Sequence, residues 1–234
     1  MKILWNERAV YLEDISAVII ADLHIGYEDE LRERGIIVPS QWKSMRDRIE
    51  DIMEKTEADR LIILGDIKHS ILSTPRYVRE FFEDMPYEIM AVKGNHDGGI
   101  EEMVDFKVYP SQGFRIGKYG FIHGHSWLSE DVVKADFLFM GHMHPEIELF
   151  DSLRKSNKMA CFLYGGLNEK GIEKYGRDMS ILILPAFNPL VGAAIGKPVG
   201  PLFTNDLVTS MEVYLLNGTY LGKYKISQSQ DQDL

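Results

Sequence analysis

The stretch whose reading decides the fold is Ala17-Val18-Ile19-Ile20-Ala21-Asp22-Leu23-His24, an apolar, β-branched run that stops at an acid and a histidine. A run this short, rich in Val and Ile and bounded by polar residues, predicts a strand buried on both faces. Side chains two apart on a strand leave on the same face, so Asp22 and His24 are expected to point together at one object. A carboxylate and an imidazole converging at the carboxyl end of a buried strand suit a divalent cation. Taken alone, the stretch is equally compatible with a strand that simply ends in polar residues.

Outward from it, the same pattern recurs. Leu61-Ile62-Ile63-Leu64-Gly65-Asp66-Ile67-Lys68-His69 is a second apolar run ending in Gly, Asp and His, and Ile89-Met90-Ala91-Val92-Lys93-Gly94-Asn95-His96-Asp97 is a third. Gly120-Phe121-Ile122-His123-Gly124-His125 and Phe137-Leu138-Phe139-Met140-Gly141-His142-Met143-His144 complete the series. All 7 histidines of the chain fall in these segments. Histidines that served only packing or solubility would be scattered, so their clustering at strand ends points to a shared ligand.

At 234 residues the chain is long enough to bury a proper core, and the motifs predict a single domain over 1–226 followed by a polar, disordered tail over 227–234. A net charge of −10 argues against a surface built to grip long nucleic acid, which needs clustered Lys and Arg. It does not exclude a nuclease, because bound divalent ions reverse the local sign. Cys161 is the only cysteine, which excludes an intrachain disulfide and suggests a reducing compartment. Met1 to Trp5 lacks the regions of a signal peptide, so a cytoplasmic location is expected. The apolar stretch from Leu182 to Phe203 is broken by Pro185, Pro189, Pro198 and Pro201, which rules out a membrane-spanning helix. It reads as a strand from Ser180 to Leu184 and then a loop that packs on the core or forms a lip or partner surface.

Taken in order, Lys2 to Trp5 and Ala9 to Leu12 read as short strands, and Tyr27 to Arg34 as a charged helix closed by Gly35. Ser40 to Thr56 puts Trp42, Met45, Ile49, Ile52 and Met53 on one helical face, an amphipathic crossover joining two parallel strands. Ser73-Thr74-Pro75 reads as the start of the next helix, buried through Tyr77, Val78, Phe81 and Phe82. Gly117-Lys118 predicts a hairpin between Phe114–Ile116 and Tyr119–Ile122, and Ser129 to Ala135 a short helix. Further strands are expected over 146–150, 159–164, 211–216 and 220–226, the last two joined at Asn217-Gly218 by a type I′ turn.

In this order, Asp-x-His, Gly-Asp-x-x-His, Gly-Asn-His-Asp, His-Gly-His and Gly-His-x-His resemble the calcineurin-like metallophosphoesterase superfamily. Asp22-Leu23-His24-Ile25-Gly26-Tyr27-Glu28, with Gly35, Pro39 and Leu184-Pro185-Ala186-Phe187, is similar to its small branch of SbcD-related and DNA-ligase-associated phosphoesterases. The resemblance implies an α/β fold, a four-layer αββα sandwich of two mixed sheets flanked by helices. It also implies two divalent ions, Mn²⁺ foremost with Fe or Zn²⁺ as alternatives. Asp22, His24, Asp66 and His144 would hold one ion, and Asp66, Asn95, His123 and His142 the other, with Asp66 bridging. Such a pair clamps both oxygens of an in-line displacement and supplies hydroxide by bringing the pKa of bound water toward about 7.

The resemblance makes His96 the acid that protonates the leaving oxygen or stabilises charge on the phosphoryl group. Many relatives carry Asp where this chain has His69, so His69 is either a second group on the phosphate or a structural histidine. Asp97 and His125 would stand behind the ligands or against substrate. The implied activity is a phosphodiesterase acting on a nucleotide or short nucleic acid, with DNA-repair proteins as partners and no membrane. A phosphomonoesterase on the same fold, or a metal-binding interaction module, would carry the same ligand motifs. Retention of His96, which a retromer subunit of this fold lacks, favours catalysis.

Overall fold

Along the first strands, buried side chains alternate between two faces, and this alternation builds the layers. The computed structural model describes residues 1–69, 76–150, 154–195 and 199–226. Lys2–Leu4 (β1), Ala9–Leu12 (β2) and Ala17–Ile20 (β3) form an antiparallel meander. Tyr27–Glu33 (α1) and Trp42–Thr56 (α2) then lead to Arg60–Ile63 (β4), which lies parallel to β3 as the crossover pattern predicts. Tyr77–Phe82 (α3), Glu88–Val92 (β5) and Lys107–Tyr109 (β6) complete a 6-stranded sheet in the order β1-β2-β3-β4-β5-β6.

The second sheet has 9 strands among the described residues. Phe114–Ile116 (β7) and Tyr119–Ile122 (β8) form the expected hairpin, and Phe137–Met140 (β9) lies parallel to β8. Pro145–Phe150 (β10) pairs with the first half of the long strand Ser156–Gly166 (β11). Glu169–Tyr175 (α4), for which the hydrophobic pattern offers no signal, starts where Asn168 Oδ1 accepts from the Gly171 amide at 3.0 Å. Ser180–Ile183 (β12) runs parallel to β9, and Ala193–Ala194 (β13), Pro201–Thr204 (α5), Ser210–Leu215 (β14) and Tyr220–Lys225 (β15) follow.

Between the sheets, Val10, Leu12, Ile19, Ile62 and Leu64 meet Phe114, Phe121, Phe139, Phe162 and Leu182. The other face of β3 and β4, with Val18, Ile20, Leu61 and Ile63, packs under Met45, Ile49, Ile52 and Met53 of α2 and Phe81 of α3. Leu138, Met140, Ile181 and Ile183 pack outward beneath Leu202 and Phe203 of α5. The result is the helix, sheet, sheet, helix sandwich expected from the motifs.

Some local expectations change. The Asn217-Gly218 turn is not type I′, which needs positive φ at both residues: Gly218 has φ 82° but Asn217 does not. The Gly218 amide donates to the Leu215 carbonyl at 2.8 Å, a three-residue loop with glycine in the left-handed position. The helix expected over 129–135 shortens to one 3₁₀ turn, Val132–Lys134. The loop after β12 begins and ends as core, since Ala186, Phe187, Leu202 and Phe203 are buried. The expected helix start at Ser73-Thr74-Pro75, the loop's residues 196–198 and the tail over 227–234 lie outside the described residues. Among the described residues, no helix is long and apolar enough to cross a membrane.

Candidate metal centre and active site

The parallel strands β3, β4 and β5 of one sheet and β8 and β9 of the other end at one edge of the sandwich. The predicted residues lie just beyond those ends, not within the strands. β3 stops at Ile20, and both Asp22 (φ 56°) and His24 (φ 42°) then adopt left-handed backbone. Their convergence therefore comes from two sharp turns, not from the strand pleat that the sequence suggests. Asp66 (φ 48°), His142 (φ 69°) and His144 (φ 44°) repeat the device. Left-handed backbone is costly for residues with a Cβ and persists only where surrounding bonds hold it.

Those bonds tie the loops together. The Asp22 amide donates to the Gly65 carbonyl at 3.2 Å, the His24 amide to the Asp66 carbonyl at 2.8 Å and the Ile25 amide to the Ile67 carbonyl at 2.9 Å. Asp22 also accepts from the His142 amide at 3.0 Å, linking the two sheets. The motif glycines provide clearance: a Cβ on Gly65 would lie 2.6 Å from His123 Nδ1, and one on Gly94 would collide with Asp66.

Two groups of ligand-type atoms result, one of Asp22, His24, Asp66 and His144 and one of Asp66, His123 and His142. His24 Nε2 lies 3.2 Å from His144 Nε2 and 3.5 Å from Asp66 Oδ2, and His144 Nε2 lies 3.3 Å from Asp22 Oδ1. In the second group, His123 Nε2 lies 3.4 Å from the same Asp66 Oδ2 and 3.0 Å from Asn95 Oδ1. His123 Nδ1 donates to the Leu64 carbonyl at 2.7 Å, which leaves Nε2 to face the two oxygens. Lone-pair atoms facing one another at these distances, with Asp22, His24, Asp66 and His123 buried, need positive charge between them. Carboxylate, imidazole and amide oxygen without thiolate fit divalent cations of the harder kind.

The charges follow from burial and neighbours. Burial first, and the other histidines after it, pushes His24 down to about 2 and His142 down to about 3, so both rings stay neutral. For His123 burial opposes the charge, but hydrogen bonding to Asp66 and the charges of Asp66 and Asp22 outweigh it and raise the ring. His144 is raised by Asp22 in the same way, again against burial. A cation held by these groups would compete with protons on His123 and His144. Metal affinity is expected to keep rising as pH increases above the ordinary histidine value of 6.5, with proton release at pH 7. Titration calorimetry in buffers of different ionisation heat measures that release, and none at pH 7 would remove His123 from the ligand set.

His24, His69 and His96 form a third cluster. His69 Nε2 bonds to the Glu30 carboxylate of α1, which only accepts, so Nε2 carries the proton. His69 Nδ1, 3.3 Å from His24 Nδ1, is then the acceptor. His24 Nδ1 must donate, and its Nε2 lone pair is turned toward Asp66 and His144. Hydrogen bonds fill this cluster and fix the orientation of the His24 ring. The bond from His69 is also the foremost cause holding the Glu30 carboxyl below its ordinary value. Replacing Glu30 by Gln is expected to weaken metal binding about tenfold, the scale of losing a carboxylate behind a ligating imidazole. Equilibrium metal titration checks this, and unchanged affinity would detach Glu30 from the site.

His96 sits at the rim. Its amide donates to Asp66 Oδ1 at 2.9 Å and its Nδ1 donates to the His69 carbonyl at 2.5 Å, so the backbone of residue 69 does the orienting. Asp97 lies fully buried behind the site, accepting from the Ile67 amide at 2.9 Å and the Gly94 amide at 2.8 Å. Burial, helped by the charge of Asp66, pushes Asp97 up to about 6. His125 stands beside the second group, its ring 5.1 Å from that of His123. Two contributors carry no motif signal. Glu30 reads only as one acid in a charged helix. Asn188 is buried after β12 and donates to the Leu23 carbonyl at 3.0 Å.

A model of the calcineurin-like phosphoesterase family matches residues 15–165. Among solved structures, the chain is similar to nuclease MPE from Pseudomonas putida, with TM-score 0.59 and 20% identity over 94% of this chain and 93% of that one. It is also similar to Yfce, a phosphoesterase from E. coli, with TM-score 0.45 and 15% identity over 90% of this chain and 99% of that one. No curated protein matches the chain. The family match runs from just before β3 into β11 and takes in every histidine of the site. This chain belongs to the calcineurin-like phosphoesterase family and is a metal-dependent phosphoester hydrolase.

Proposed function

We propose that the protein is a dinuclear phosphodiesterase that cleaves a nucleotide diester or a short nucleic acid. The observation that carries this reading is Asp66 Oδ2, placed 3.5 Å from His24 Nε2 and 3.4 Å from His123 Nε2. One carboxylate oxygen facing both ligand groups suits a pair of ions held close together. Asp22, His24, Asp66 and His144 would hold the first, and Asp66, Asn95, His123 and His142 the second, with Mn²⁺ the best match. When bound, the ions supply an activated water and charge compensation at the phosphoryl oxygens.

The side chains do the remainder. With Nδ1–H committed to the His69 carbonyl, Nε2 is the atom through which His96 can pass a proton to the leaving oxygen. The chain from Glu30 through His69 keeps the His24 ring in the ligating tautomer. Asp97 pins the loops after β4 and β5, so His96 and Asp66 keep their relative positions. An acidic chain of −10 suits small or short substrates. The nuclease of similar fold supports the nucleic-acid direction. A single buried thiol is in keeping with the cytoplasm.

The test is hydrolysis of a diester and a monoester of 4-nitrophenol by metal-stripped protein with Mn²⁺ restored. Turnover of the diester, dependent on Mn²⁺, is expected to exceed that of the monoester. A preference for the monoester would make the protein a phosphatase instead.

A further inference from the structure

Beside the ligand groups runs a cleft of about 570 Å³, lined by Gln112, His125, Ser126, Trp127, Thr204 and Asn205. It shares one side chain with the surroundings of the centre, His125, whose ring lies 5.9 Å from that of His142 and 5.1 Å from that of His123. Trp127 is 42% exposed, so part of its indole faces the cleft and solvent. The Lys174 ammonium sits over one face of its ring, 4.2 Å from the centre, which leaves the opposite face to take a base and puts positive charge next to it. His125 Nδ1 is buried and has no hydrogen-bond partner among the described residues, so in the neutral ring the proton belongs on Nε2.

We propose that this cleft is a nucleobase subsite, in which Trp127 stacks on the base attached to the scissile phosphate and the amides of Gln112 and Asn205 meet its polar edge. The inference rests on the diesterase reading, since the phosphate must sit on the ligand groups for its base to reach Trp127. An indole stacks on any base, whereas the Gln112 amide offers a donor and an acceptor and Asn205, whose Nδ2 donates to the Pro201 carbonyl at 3.0 Å and to Thr204 Oγ1 at 3.3 Å, offers its Oδ1, so the subsite takes nucleotides with little base preference. Lys174 suits the next phosphate of a short single strand, which would give the acidic surface one local positive foothold.

Two diesters with the same leaving group separate the subsite from the chemistry: thymidine 5′-(4-nitrophenyl) phosphate and methyl 4-nitrophenyl phosphate, with the Mn²⁺-loaded protein. The nucleoside ester is expected to show a KM about tenfold lower. Trp127→Ala should abolish that advantage without changing turnover of the methyl ester, and Trp127→Phe should restore most of it. An unchanged KM ratio in Trp127→Ala, with the methyl ester still hydrolysed, overturns the subsite and leaves the diesterase standing. Should neither ester react with the wild type, tryptophan fluorescence decides. Quenching by thymidine 5′-monophosphate that disappears in Trp127→Phe supports the subsite, and absence of quenching overturns it.

Discussion

Asp66→Asn is expected to cost the protein both metal ions and about 10³-fold or more in turnover. Metal-ion catalysis supplies several kcal/mol of transition-state stabilisation, and each 1.4 kcal/mol is about tenfold in rate. The substitution keeps the shape of the side chain and an oxygen to accept the His96 amide, so the fold should survive. What it removes is the negative charge shared by the two groups. His24 Nε2 and His123 Nε2 both face Asp66 Oδ2, and a neutral amide compensates neither cation there. Elemental analysis after dialysis is the measurement. Retention of one ion per chain would assign Asp66 to a single site and remove the bridge from the mechanism.

His96→Ala should give the opposite pattern, with full metal content and turnover reduced by about 10²–10⁴-fold on a substrate with an alkoxide leaving group. Its side chain belongs to neither of the groups built around Asp66, and its Nδ1 is spent on the His69 carbonyl. A general acid matters most where the leaving oxygen is basic. The loss should therefore be large for a dinucleotide and small for a 4-nitrophenyl ester, whose phenolate departs without a proton. Equal losses on both substrates would show that His96 stabilises phosphoryl charge and does not transfer a proton.

Five apolar runs, each closing on Asp, Asn or His, were enough to foretell which strands meet at the centre and which side chains crowd it. Strand burial is a local property with a period of two, and ligand chemistry belongs to residue types, so both survive translation into sequence. The geometry of approach did not. Asp22 and His24 stand two apart as strand neighbours should, yet each reaches the site through left-handed backbone held by hydrogen bonds to the loop after β4. No periodicity encodes such a turn in a residue other than glycine.

The role of His69 shows the same divide. In sequence it is a histidine where an acid is common, open to two readings. In the folded chain, Glu30 lies at one edge of its ring and His24 Nδ1 at the other, and those two contacts select the role. Glu30, Asn188 and Trp127 carry no motif because their partners lie far away in the chain, where only packing of the two sheets and α1 brings them together. The sequence by itself determined the family, most of the strands and the inventory of candidate ligands, since these depend on local pattern and residue chemistry. Only the tertiary structure decided which oxygen faces both ligand groups and which neighbours orient the imidazoles of His24, His69 and His123, because each depends on distances between segments that no local pattern records.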